Sequence, residues 1–267
     1  MTVGAIAGLS AGLFGIGGGA VMVPALYFAF HGLGVPEDIV MHCAVATSSA
    51  VIIANSVRSV RRHNAYGAVD WDLLWPQNLL KSYGLWIGMG AFWAAIWLAP
   101  QISGRSLTIL FAFISFFVAM QFIFGRPNWV LWDKVPGGLA RPFVGGGVGI
   151  LSSLIGIGGG SLTVPLMSLC GVPIHRAVGT ASGFGFAIAV PATLGFIVSG
   201  IGVPERPVFS LGYVNLLGCV LVAVIAYITI PYGVKLAHNL SQKRLKICFG
   251  LCLIIISANM ARKALGY

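Results

Sequence analysis

Apolar residues run along this chain in long blocks separated by short polar connections. A helix needs about 20 consecutive apolar residues to cross the hydrocarbon core of a bilayer. Six blocks approach or exceed that length, at 39–57, 82–99, 106–124, 177–199, 208–234 and 245–261, and each is expected to be a full membrane span. Two further blocks, 2–30 and 142–170, are apolar but are each cut near the middle by a run of glycines. The pieces on either side of a cut are too short to span alone. The pattern predicts an all-α polytopic membrane protein in which each cut block is a broken or re-entrant helical hairpin.

The two cuts are copies of one another. Phe14-Gly15-Ile16-Gly17-Gly18-Gly19-Ala20-Val21-Met22-Val23-Pro24 returns as Ile155-Gly156-Ile157-Gly158-Gly159-Gly160-Ser161-Leu162-Thr163-Val164-Pro165, at a constant offset of 141. Upstream, Gly4, Gly8 and Gly12 match Gly145, Gly149 and Ser153 at the same offset. Small residues four apart share one helix face and let helix backbones approach closely in lipid. Downstream, His42-Cys43-Ala44-Val45-Ala46-Thr47-Ser48-Ser49 matches His175-Arg176-Ala177-Val178-Gly179-Thr180-Ala181-Ser182, and the stretch 103–111 aligns with 241–249. The chain therefore reads as two membrane repeats, 1–125 and 142–267. A linker, 126–141, joins them and carries Trp129, Trp132, Asp133 and Lys134.

Charge gives the orientation. The connection 58–81 holds Arg58, Arg61, Arg62 and Lys81, whereas its copy near 200–207 holds only Arg206. The connection at Arg105 is the poor one in the first half, and its copy carries Lys235, Lys243, Arg244 and Lys246. The basic side has swapped between copies, as inverted repeats require. With re-entrant hairpins, 12 Lys and Arg fall inside and 4 outside; if each cut block crosses once, the split is 10 against 6. The positive-inside rule favours two inverted repeats, each a hairpin plus three spans, with a cytoplasmic linker.

Composition narrows the class. The 267 residues are 58% hydrophobic and 8% charged, with a mean hydropathy of +0.94. Soluble domains carry about 25% charged residues, so this chain cannot cover itself for water. The net charge of +10 belongs to loops rather than to a nucleic-acid surface, since no basic helix or aromatic-basic stripe exists. The five cysteines show no metal spacing, and no metal or cofactor is expected. Met1-Thr2-Val3 lacks the charged start of a secretory signal.

The cuts carry the candidate chemistry. Contiguous glycines open the backbone, and amides at the start of a half-helix lack helical partners and bear partial positive charge. Gly17, Gly18, Gly19 and Ala20 in one half, with Gly158, Gly159, Gly160 and Ser161 in the other, form a candidate anion site. Thr47, Ser48, Ser49, Thr180 and Ser182 would add hydroxyls. Intramembrane acids, the usual mark of a cation carrier, are missing from the apolar blocks, so a small anion is the expected partner besides the lipid bilayer. If protons are coupled, His42 and His175 are the repeat-equivalent groups that titrate near neutral pH; each otherwise anchors the start of its span at the interface. Gly15-x-Gly17-x-x-Ala20, with Glu37 downstream, also fits a dinucleotide fingerprint, but the surrounding strands that fold needs are absent and the second copy has no matching acid. Glycines that merely kink and pack helices are the plain alternative. An anion channel, or an enzyme embedded in the membrane, would share this composition, although no carboxylate pair or nucleophile set lies within the spans.

The doubled Gly15–Pro24 and Gly156–Pro165 motif, with Thr-x-Ser shortly after each copy, resembles the TauE/SafE family, also called the 4-toluene sulfonate uptake permease family. The resemblance covers both halves. It implies a multi-pass carrier of the cell (inner) membrane, not an enzyme, often linked to sulfite, sulfonates or other sulfur-containing organic anions. Ser48 stands opposite Ala181, and the connection 28–38 is longer than its copy, so the halves are not identical.

Overall fold

The computed structural model describes residues 2–14, 18–124, 132 and 135–265. The chain is nearly all helix, and each cut block is two helices: α1 (Thr2–Phe14) and α2 (Gly19–Gly32), then α7 (Ala140–Ile155) and α8 (Gly160–Leu169). The glycines thus end one helix and begin the next, as their position in the sequence predicts. Between them lie α3 (Glu37–Asn64), a single turn α4 (Trp71–Leu74), α5 (Tyr83–Trp93) and α6 (Gly104–Phe124). The second half continues with α9 (Ile174–Ser199), a two-stranded hairpin of β1 (Ser210–Leu211) and β2 (Val214–Asn215), α10 (Leu216–Asn239) and α11 (Gln242–Ala264).

Among the described residues, five helices are long and apolar enough to cross a membrane: α3, α5 with its extension to Gln101, α6, α9 and α10. α11 covers the sixth predicted span, with an apolar run that follows Lys243, Arg244 and Lys246 at its start and precedes Arg262 and Lys263 at its end. α3 overruns its predicted end by seven residues, because Arg58, Arg61, Arg62 and His63 complete the helix instead of leaving it. Glu37 and Asp38 in the first turn and the cations in the last both suit the helix dipole. The predicted span 208–234 is displaced: α10 starts at Leu216, where Asn215 caps it by accepting from the Gly218 N–H at 2.7 Å. Residues 208–215 form the hairpin instead. α5 runs into a π turn at Ala94–Leu98 and a 3₁₀ turn to Gln101.

α3 and α9 form the centre. Their most apolar stretches are 78% and 67% buried, against 22% for α10, whose Val220, Leu221, Val224 and Ile228 face outward. The two central helices run antiparallel: Ser59 meets Ser182, while Ile52 and Ser56 meet Gly185. α6 and α11 are antiparallel too, with the Arg105 guanidinium donating to the Ala264 carbonyl at 2.9 Å and Ala119 and Ile123 lying against Gly250. Each half also receives the other's first helix. α1 lies along α10, Gly4 against Ile225, Gly8 against Ala226 and Thr229, and Gly12 against Ile230 and Val234. α7 lies along α5 in the same way, with Gly145 against Trp86 and Gly149 against Ile87 and Ala91. A side chain at Gly8 or Gly149 would collide with backbone of the neighbouring helix, so these glycines set the approach.

Candidate functional site

The two glycine breaks meet backbone to backbone. Gly19, the first residue of α2, lies so close to Gly156 and Ile157 that a Cβ there would collide with the Gly156 carbonyl and come within 2.6 Å of the Ile157 carbonyl carbon. Gly18 and Gly158 both take φ +84°, a left-handed backbone that side-chain-bearing residues rarely adopt. Gly17 lies outside the described residues. Gly18, Gly19 and Ala20 are buried, and so are Gly158, Gly159, Gly160 and Ser161. The Val21 and Met22 N–H groups both donate to the Gly18 carbonyl at 3.1 Å. The helical bonding of α2 thus begins at Val21, just past Ala20, the last residue of the candidate set.

The hydroxyls divide between the site and the scaffold. Ser48 belongs to the breaks: its hydroxyl lies 2.8 Å from the Val45 carbonyl and 3.0 Å from the Gly156 carbonyl, and donates to this pair. Ser161 donates to the Gly158 carbonyl at 3.4 Å. Ser49 donates to the Val45 carbonyl within its own helix at 2.9 Å. Ser182 is 3.1 Å from the Val178 carbonyl and pairs with Ser59 at 3.0 Å. Thr47 and Thr180 link the halves. The Thr47 hydroxyl accepts from the Asn215 N–H, and the Thr180 hydroxyl accepts from the Asp70 N–H, each at 2.9 Å. Because α3 and α9 are antiparallel, these two threonines stand toward opposite ends of the central pair.

His42 and His175 are likewise at opposite ends. His42 is buried, its Nε2 2.9 Å from the Ala99 carbonyl and its ring 5.3 Å from that of Tyr213. Burial and then the nearby Cys43 push the Tyr213 phenol above its usual range, with Arg206 opposing, so the ring that His42 rests on stays neutral. His175 is half-buried and stacks on His238 at 5.6 Å. Since His238 lies 3.1 Å from His63, and His63 is 21 residues beyond His42 on α3, the two predicted histidines are about 30 Å apart at 1.5 Å per helical residue.

One residue beside the breaks was not among the candidates. Ser56 is fully buried, and its hydroxyl has no hydrogen-bond partner among the described residues. It lies against Gly185, whose neighbourhood includes Gly159. Such a hydroxyl is costly to bury unless something completes it. Its repeat counterpart is Ala189, so matching the halves gives no signal for it. The hydroxyls of Ser152 and Ser153, on the last turn of α7 before the second break, are buried in the same state. What the breaks offer is backbone and hydroxyl donors at the start of two half-helices, without a carboxylate among the described residues that meet there.

A family model described as sulfite exporter TauE/SafE matches residues 1–260. A probable membrane transporter protein of Haemophilus influenzae is 33% identical over 98% of this chain and 97% of its own. One of Methanocaldococcus jannaschii is 28% identical over 92% and 88%, and a third, YunE of Bacillus subtilis, is 29% identical over 75% and 78%. No solved structure matches the chain.

Proposed function

We infer a mechanism from one premise: this chain belongs to the sulfite exporter TauE/SafE family. It is a membrane transporter with several spanning helices, in keeping with its relatives and its apolar α-helices. Beyond that, the proposal is a secondary carrier of the inner membrane that moves a small sulfur-containing oxyanion, sulfite or an organosulfonate, and is not an enzyme. The anion sits where the two glycine breaks meet, held by the amides opening α2 and α8, by the unpartnered hydroxyl of Ser56, and by the hydroxyls of Ser48 and Ser161 once they turn from the Gly156 and Gly158 carbonyls. The observation that carries this reading is the contact of Gly19, the first residue of α2, with Gly156 and Ile157, between the end of α7 and the start of α8, which brings the two breaks to one place. Unwound backbone at membrane depth is tolerated where it is enclosed by protein or lines a cavity.

The same reading takes residues 1–125 and 142–267 as inverted repeats joined by a cytoplasmic linker, 126–141. Antiparallel α3 and α9 support it. If α7 and α8 together crossed the membrane once, α9 would run the same way as α3; if they enter and return, α9 runs the opposite way. His42 and His175 are then gating or proton-linked groups at the two ends of the pathway, not partners in one site.

Counterflow in proteoliposomes tests the reading. Preloaded sulfite or an organosulfonate should drive uptake of the labelled anion. Gly19→Ala should abolish it by forcing the breaks apart, and Ser56→Ala should weaken anion binding about tenfold, a change of about 1.4 kcal/mol. Counterflow that survives Gly19→Ala at full rate, or flux of alkali cations in place of anions, would overturn it.

A further inference from the structure

His63 and His238 are 175 residues apart in the sequence and 3.1 Å apart in space, Nδ1 to Nε2. His63 is 1% exposed. Its other nitrogen, Nε2, is 3.0 Å from the carbonyl oxygen of Gly12. A carbonyl only accepts, so His63 carries its hydrogen on Nε2 and presents a bare Nδ1 to His238. His238 must then donate through Nε2–H, which leaves its own Nδ1 as the basic atom of the pair. His238 is half-buried at the end of α10, with the ring of Tyr66 stacked 4.1 Å away and that of His175 at 5.6 Å. These two are the titratable groups whose rings face it. On the pair's own helices the nearest cations, Arg62 and Lys235, are exposed, and α1 has no ionisable side chain.

We propose that His63 and His238 form a proton-binding relay that couples one membrane face to the first glycine break. A proton added at His238 Nδ1 makes an imidazolium; its Nε2 proton then passes to His63 Nδ1. No ring has to turn. His238 ends neutral, hydrogenated on Nδ1, and His63 ends charged, donating from Nε2 to Gly12 and from Nδ1 to His238. One positive charge has moved inward. Gly12 lies in the last turn of α1, whose end at Phe14 precedes the break. The last carbonyls of a helix lack helical partners and form its negative pole, so this is a favourable place for a cation. A charge there favours an anion at the breaks, which makes proton and anion bind together. The position equivalent to His63 in the second half is Phe196, so the relay works from one face only. That face holds Arg58, Arg61 and Arg62. The coupling to an anion rests on the function proposed above; the shared proton does not.

Two measurements on the full chain separate these parts. In detergent micelles with isotope-labelled histidine, NMR between about pH 8 and pH 5 should show His63 and His238 titrating as one coupled unit. In His238→Gln, a half-exposed position that tolerates the change, the His63 signals should stop responding across that range. Independent titration of the two rings, or a His63 response unaltered by His238→Gln, would overturn the relay. The second measurement is binding of methanesulfonate, whose charge is constant over this range. Wild type should bind it at least about fivefold more tightly at the acid end, a typical coupling size. His238→Gln and His63→Gln, the latter keeping an amide donor for Gly12, should retain the alkaline affinity and lose the acid gain. Equal wild-type affinity at both ends would refute the coupling and leave the anion site standing. Failure to bind at any pH would instead refute the anion site, with the NMR titration still deciding the relay.

Discussion

Thr47 and Asn215 are joined across the two halves of the chain by a hydrogen bond of 2.9 Å, and Thr180 and Asp70 repeat that bond in the opposite sense. In each case a hydroxyl on a central helix of one half accepts the N–H of a capping residue in the other. Asp70 caps α4 by accepting from Leu73, and Asn215 caps α10 by accepting from Gly218. The threonines therefore hold the loops that aim the outer helices.

Replacing Thr47 with Val keeps the shape and strands the buried Asn215 N–H. The expected loss is about 1–3 kcal/mol, the cost of an unsatisfied buried donor. Thr180→Val should lose a similar amount. Because the two bonds are at opposite ends of α3 and α9, the double variant should show the sum. Reversible unfolding in mixed micelles measures all three. Threonines acting only as ligands would leave stability unchanged and weaken anion binding instead.

Asp70 and Asn215 occupy equivalent places, so the cap does not depend on charge. Asp70→Asn should change stability little, and Asp70→Ala should cost about 1 kcal/mol through the lost cap. The Arg176 guanidinium also approaches Asp70, at 3.4 Å, but is 55% exposed. Arg176→Gln should therefore shift stability by less than about 1 kcal/mol. A large loss in Arg176→Gln alongside a neutral Asp70→Ala would reverse this assignment.

The glycine stripes predict a contrast within the same residue type. Gly8→Ala drives a methyl into the α10 backbone at Ala226, and Gly149→Ala drives one into α5 at Ile87. Each should destabilise by about 1–3 kcal/mol through overpacking. Gly147→Ala, on the same helix as Gly149, meets nothing within 4 Å. It should be neutral or stabilise by up to about 1 kcal/mol, since alanine is the better helix former. Thermal unfolding of the three in one detergent checks the order.

The inverted arrangement predicts sidedness. In a cysteine-free background, Asn64→Cys and Leu240→Cys should react with an impermeant maleimide from the cytoplasmic side. Gln101→Cys and Glu205→Cys should react from the other. Labelling of positions 64 and 240 from opposite sides would refute the inverted repeat.

The sequence by itself determined the class, the helices and the breaks. A chain this apolar must satisfy its backbone internally, which in lipid means helices. Glycine runs weaken a helix, and the ends at Phe14 and Ile155 and the restarts at Gly19 and Gly160 fall at two of them, whereas Gly145-Gly146-Gly147 stay helical inside α7, packed along α5. The start of α10 did not follow. Residues 208–215 are apolar enough to read as span, and only the cap at Asn215, locked by Thr47 from the other half, decides that they form a hairpin. Tertiary structure also decided what the polar groups do. The sequence showed that Thr47 and Thr180, or His42 and His175, were equivalent, but equivalence under an antiparallel pairing of α3 and α9 places equivalent residues at opposite ends. Gly19 against Gly156, Ser56 beside Gly185, and His63 beside His238 are contacts between distant segments. No local preference encodes them, because each partner alone would be equally stable as a packed glycine, a core serine or an interfacial histidine. Only the packing of whole helices brings them within reach.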